Sequence, residues 1–230
     1  MKSLLQHFSP NKYRLTVFGL LAGASIFCVA LLRLRASLTG SSHYAFLIWN
    51  LFLAWIPFGI AYVTYTTSIS RRWLYAIIPA SACLWLIFFP NAPYILTDFQ
   101  HLSYAGSDIP VWYDVILLIW FSFTGLFLGM VSLFLMQEIV RREFGRWFGW
   151  GFVVLVAALT TVGIYMGRFL RWNSWDILGN PGDLAQFTLY YLINPTPRSL
   201  VFFSLFAPFF LFIYLLLYAF GHLLLERKER

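Results

Sequence analysis

Six stretches of this chain are long, apolar and nearly free of charge, and that feature restricts the fold more than any motif does. They run over about 15–32, 44–66, 73–89, 112–136, 147–167 and 199–225. A helix that crosses the hydrocarbon of a bilayer needs about 20 mostly apolar residues, and helices or closed barrels alone satisfy their backbone groups there. Composition points the same way. The chain is 60% hydrophobic and 11% charged, with a mean hydropathy of +0.74; soluble proteins carry about 25% charged residues. A soluble globule, a disordered chain and a disulfide scaffold are excluded. The expected fold is all-α: a polytopic transmembrane bundle of six spans with short interfacial helices on the outer face. It forms a single integral membrane domain over residues 1–230. Six spans use about half of such a chain, which leaves loops and tails but no room for a separate soluble domain.

The first stretch reads as a retained span and not as a cleaved leader. It is longer than the usual apolar region, and it ends in Leu31-Leu32-Arg33-Leu34-Arg35, with no small-x-small site. Cys28 and Cys83 fall inside apolar stretches and read as small packing residues.

The net charge is +7. On a soluble protein this would suggest nucleic acid. Here the basic residues flank apolar spans, so they set orientation and no nucleic-acid partner is expected. The two tails and the second and fourth connections hold eleven Lys and Arg with all four Glu. The other side holds five Arg (Arg33, Arg35, Arg168, Arg171, Arg198) with all five Asp. The sides net +7 and zero, which predicts that both termini are cytoplasmic. No internal repeat is visible, which weakens an inverted-repeat transporter reading.

Two outer connections hold nearly all the unusual polar residues. In the first, Pro90 and Pro93 stop the third span, and Ile95, Leu96, Phe99 and Leu102 recur at helical spacing. Asp98 and His101, three apart, are expected to share the opposite, polar face. Asp108 reads as an N-cap, and Asp114 falls in the first turn of the fourth span. In the second connection, Arg168 and Arg171 leave the fifth span on one side, followed by Asn173 and Asp176. A short helix capped by Asp183 is predicted to run to about Ile193. Gly125-x-x-x-Gly129 and Gly163-x-x-x-Gly167 are faces for close helix contact. Asn50 is placed to hydrogen-bond across helices, and Trp112, Trp172 and Trp175 suit the interface belt.

The segments FFPNAPYILTDFQHL (88–102) and GRFLRWNSWD (167–176), with WYD (112–114) between them, resemble a family of uncharacterised bacterial multi-span membrane proteins, catalogued as a domain of unknown function. The resemblance covers most of the chain from the third span to the fifth. It implies a protein of the bacterial cytoplasmic membrane and carries no reaction with it.

Three functional readings follow from the residues. In the leading one, an outer site binds or processes an anionic lipid or lipid-linked ligand. Asp98, His101 and Asp114 form its catalytic acid–base side, while Asn91, Arg168, Arg171, Asn173 and Asp176 bind the ligand. Against it stand a polar face at the interface for Asp98 and His101, and plain ion pairing of the arginines with Asp98 or Asp114. The second reading is a transporter or permease, which the near absence of mid-span charges disfavours. The third is a non-catalytic assembly or scaffold subunit. A metal at Asp98 and His101 would need a third ligand, such as Asp114. No cofactor is assigned: the chain has no P-loop, dinucleotide fingerprint, HExxH or GxSxG. No His lies well inside a span to serve haem.

Overall fold

The structure is a computed structural model and describes residues 10–67, 71–104, 109–172, 176–179 and 181–223. These residues form helices and short links, with no strand among them. The long helices are α1 (Pro10–Thr39), α2 (Phe46–Thr66), α3 (Arg71–Phe88), α5 (Val111–Phe144), α6 (Arg146–Tyr165) and α9 (Pro197–Leu223). Between α3 and α5 lie the short helix α4 (Asn91–Tyr94) and a 3₁₀ helix (Ile95–Tyr104). Between α6 and α9 lie a π-turn (Met166–Leu170), α7 (Asp176–Gly179) and α8 (Pro181–Ile193).

Six helical stretches are long and apolar enough to cross a membrane: Tyr13–Thr39, Phe46–Thr66, Ile77–Leu102, Val111–Phe144, Arg146–Leu170 and Pro197–Leu223. They match the six stretches read from the sequence, with three differences. The first and fourth continue past Leu32 and Met136, because Arg, Leu, Gln and Glu are good helix formers and charge at a span's end does not stop a helix. The third carries on through Pro90 into the 3₁₀ helix. The predicted helix ending at Ile193 is present, but it starts at Pro181, so Asp183 sits in its first turn and not at its cap.

The chain divides into two compact units. One comprises Met1–Trp55 and Asn91–Gly129. Its core takes a stripe from α1, in which Leu21, Cys28, Leu32 and Arg35 are buried at helical spacing. Cys28 Sγ lies 3.6 Å from Thr124 Oγ1 on α5. The Tyr113 hydroxyl donates to the Leu31 carbonyl at 2.8 Å, and the Trp55 indole to Ser25 Oγ at 3.0 Å. The 3₁₀ helix packs against α5 at Gly125. A Cβ there would lie 2.7 Å from Ile95 Cδ1 and 2.8 Å from the Ala92 carbonyl oxygen. Ser122 donates to the Ile95 carbonyl at 3.0 Å, supplying a partner where the broken helix leaves a carbonyl that lipid cannot satisfy.

The other unit comprises Ile56–Pro90 and Met130–Arg230. The buried Trp85 indole donates to Ser132 Oγ at 2.5 Å, and Ser132 donates to the Pro57 carbonyl at 3.1 Å. Tyr214 on α9 donates to Gln137 on α5. Gly163 on α6 admits Pro90, whose Cγ lies 2.7 Å from where a Cβ would stand. Helices α6 and α9 meet through rings, with Tyr165 against Phe202 and Phe203. Cys83, expected as a packing residue, is exposed on this unit, whereas Cys28 fits that expectation.

Candidate functional site

The polar residues of the first connection do not lie where an amphipathic α-helix would put them. A 3₁₀ helix repeats every three residues, so Ile95 and Asp98 fall in one column, and both are buried, as is Ala92 in the short helix before them. Asp98 is therefore inside, with 0% exposure, and not on a polar outer face. It accepts a hydrogen bond from Asn50 Nδ2 at 2.9 Å, the cross-helix bond anticipated for Asn50. His101, one 3₁₀ turn on, is half-buried. Its backbone carbonyl accepts from the Tyr44 hydroxyl at 3.1 Å, and its ring lies 4.8 Å from Phe46 and 6.3 Å from His43. The 40–45 connection and the 3₁₀ helix thus meet at one end of their unit.

Asp114 is also buried, and its partner is Arg35. Arg35 Nε lies 2.6 Å from Oδ1 and Nη2 lies 3.0 Å from Oδ2. The guanidinium rests on the Tyr44 ring, 4.5 Å from its centroid. Burial first, then the nearby Asp114 carboxylate, push the Tyr44 phenol above its ordinary pKa. With both oxygens engaged, Asp114 acts by holding Arg35 in place. Sequence reading treated Arg35 as one more outer charge. The missed signal was its place on the stripe Leu21–Cys28–Leu32–Arg35; Arg33, two residues earlier, points outward and is exposed.

Among the described residues no group of three or more His, Cys, Asp and Glu is placed to hold a metal. Asp98, His101 and Asp114 therefore do not form the metal triad considered from sequence. Asn91, half-buried, opens α4 just after Pro90.

The arginines of the second connection belong to the other unit. Helix α6 does not end cleanly but loosens into the π-turn Met166–Leu170, at Gly167, where the missing Cβ makes helical geometry weakest. Arg171 closes the turn in the left-handed region, φ 60°, ψ 30°, with its backbone N–H donating to the Met166 carbonyl. It is the one non-glycine residue with positive φ among those described. Arg168 is half-buried and Arg171 exposed, so the two leave the span unequally. Arg198, at the start of α9, places its guanidinium 5.7 Å from the centre of the Phe169 ring. Arg198 thus lies on an aromatic cluster where α6 ends and α9 begins, the end at which Arg168 and Arg171 leave the span. Thr188 on α8 donates to Met166 Sδ at 3.2 Å. Asp176 begins α7 and is half-buried. Asn173 and Trp175, like Asp108, lie outside the described residues.

Six apolar helices with buried polar pairs and basic residues at the helix ends define an integral membrane protein. The sequence model of one family, described as a protein of unknown function (DUF1361), matches residues 49–216, and the chain belongs to that family. No curated protein and no solved structure matches it.

Proposed function

We propose that this protein binds or processes an anionic lipid or lipid-linked ligand at the extracytoplasmic face of a bacterial cytoplasmic membrane, with both termini in the cytoplasm. The carrying observation is the π-turn that closes on left-handed Arg171, with Arg168 inside it and Arg198 beside Phe169. A left-handed arginine costs about 1–2 kcal/mol. Backbone outliers of this kind, like π-turns, cluster at functional sites. A guanidinium over an aromatic ring at a span end, with two further arginines close by in the chain, suits an anionic headgroup with an apolar tail. Arg168 and Arg171, with Asn173 and Asp176, make the ligand-binding side. Asp98, His101 and Asp114 stand in the other unit, where Asp98 is held by Asn50 and Asp114 serves by positioning Arg35. The excess of Lys and Arg on the tails and on the second and fourth connections supports the orientation.

The test is native mass spectrometry of the full chain in mild detergent, beside the Arg168→Ala, Arg171→Ala double variant. The expected result is a defined anionic adduct on the wild type that is missing from a folded variant. Identical lipid adducts on both proteins, or none on either, overturn the reading.

A further inference from the structure

We propose that Arg35 is the recognition residue of a second site. It takes an oxyanion of the phosphoryl or carboxylate class on the guanidinium edge that Asp114 leaves unused. A guanidinium offers two edges on which a pair of parallel N–H bonds can form. The edge made by Nε and Nη2 is filled by Asp114 at 2.6 and 3.0 Å. The other edge runs from Nη2 to Nη1. Nη1 is buried and has no hydrogen-bond partner among the described residues, on a residue that is 4% exposed. The two nearest phenols do not fill the gap. The Tyr44 hydroxyl is committed to the His101 carbonyl and the Tyr113 hydroxyl to the Leu31 carbonyl. Buried donors are nearly always satisfied, so an orphaned one marks the place of an acceptor that the protein does not supply.

The surroundings are arranged as support for such a contact. Asp114 fixes the rotamer from one side, and the Tyr44 ring fixes the plane from below at 4.5 Å. Arg35 and Asp114 neutralise each other, so selectivity here comes from directed hydrogen bonds and not from net charge. A group with two oxygens spaced to meet Nη1 and Nη2 fits the edge, whereas a spherical halide does not. The chemistry is common to a lipid headgroup and to a free anion. This site stands in its own unit and does not rest on the reading of Arg168 and Arg171.

The experiment follows thermal unfolding of the full chain in neutral detergent against two probes: inorganic phosphate at constant ionic strength, with chloride as the matched control, and phosphatidylglycerol added to the micelle. The wild type is expected to gain unfolding temperature saturably with at least one probe and not with chloride. Phosphate alone would indicate a free anion, and phosphatidylglycerol alone a headgroup. Arg35→Lys keeps the charge but loses the fork, and should weaken the response about tenfold or more. The Arg168→Ala, Arg171→Ala protein loses only what its own site contributes and should keep the part of the response that Arg35→Lys removes. Should Arg35→Lys fail to fold, the paired change Arg35→Met, Asp114→Leu removes the ion pair without leaving a lone charge, and it must lose the response. No response in the wild type, an equal response to chloride, an unchanged response in either Arg35 variant, or a response that follows Arg168 and Arg171 instead overturns the proposal.

Discussion

Arg35 and Asp114, seventy-nine residues apart in sequence, meet through two parallel bonds in the interior of one unit. Such a pair is asymmetric in its energetics. Removing one partner strands a buried charge and destabilises by about 3–5 kcal/mol, whereas replacing both with apolar residues is often neutral. Asp114→Ala should therefore lower thermal stability in detergent sharply. The double change Arg35→Met, Asp114→Leu should recover most of the loss. Unfolding curves of the wild type and the two variants check this, and an equal loss in the double variant would refute it.

Gly125 and Gly59 should respond to alanine with opposite signs. At Gly125 the added methyl would meet the Ala92 carbonyl oxygen at 2.8 Å, a backbone atom that cannot step aside. Gly125→Ala is expected to destabilise by about 1–3 kcal/mol. A Cβ at Gly59, within α2, meets nothing within 4 Å, so Gly59→Ala should be neutral or stabilise by up to about 1 kcal/mol through helix propensity. Parallel thermal melts of the two variants decide it.

Trp85, Ser132 and the Pro57 carbonyl form a chain of buried hydrogen bonds. Ser132→Ala leaves the Trp85 indole N–H without its acceptor and should cost about 1–3 kcal/mol. Trp85→Phe removes that donor while keeping much of the ring. The double variant should lose less than the sum of the two single losses, because the stranded donor is gone. A double-mutant cycle on unfolding free energies measures the difference; simple additivity would show that the bond contributes nothing.

The Tyr44 phenol is held above its ordinary value of 10.0 by burial and then by Asp114. The folded protein therefore keeps a proton that the unfolded chain releases. The stabilisation linked to Tyr44 is fully present below that ordinary value and is lost as pH rises through the higher folded value. As pH rises above about 10 the wild type should lose stability more steeply than Tyr44→Phe. Unfolding temperature followed against pH for both proteins tests the sign.

How much was legible in the sequence depends on which forces decide each feature. The six spans were legible because hydrocarbon imposes one requirement on every residue it touches, and a run of apolar residues states that requirement openly. The close approaches at Gly125 and Gly163 were legible for a related reason, since small residues in an apolar run have few other uses. The pairing of Asp114 was not. Charge counting placed Arg35 on the outer side, but only its helical register placed it inward, beside Leu32 and Cys28. Asp98 was assigned to the wrong face because 3.6 residues per turn was assumed where the chain turns every three. Two prolines so close together disrupt regular α-helix, but they do not announce which other helix replaces it. The left-handed turn at Arg171 had no sequence signal, since glycine or asparagine would be the usual residue there.

The π-turn at the end of α6 also has a consequence for how the chain tolerates change in length. A turn of this kind holds one residue more than an α-turn needs, and each residue in an α-helix advances the azimuth by about 100°. The exit of the chain after Leu170 is therefore phased by one surplus residue, as if a single insertion had been absorbed without disturbing the span before it. Deleting one residue between Met166 and Leu170 would return the turn to α geometry and leave the packing of Tyr165 on Phe202 in place. It would also swing Arg171 to a different side of the helix. At this point the direction in which the arginines face is set by the number of residues as much as by their identity.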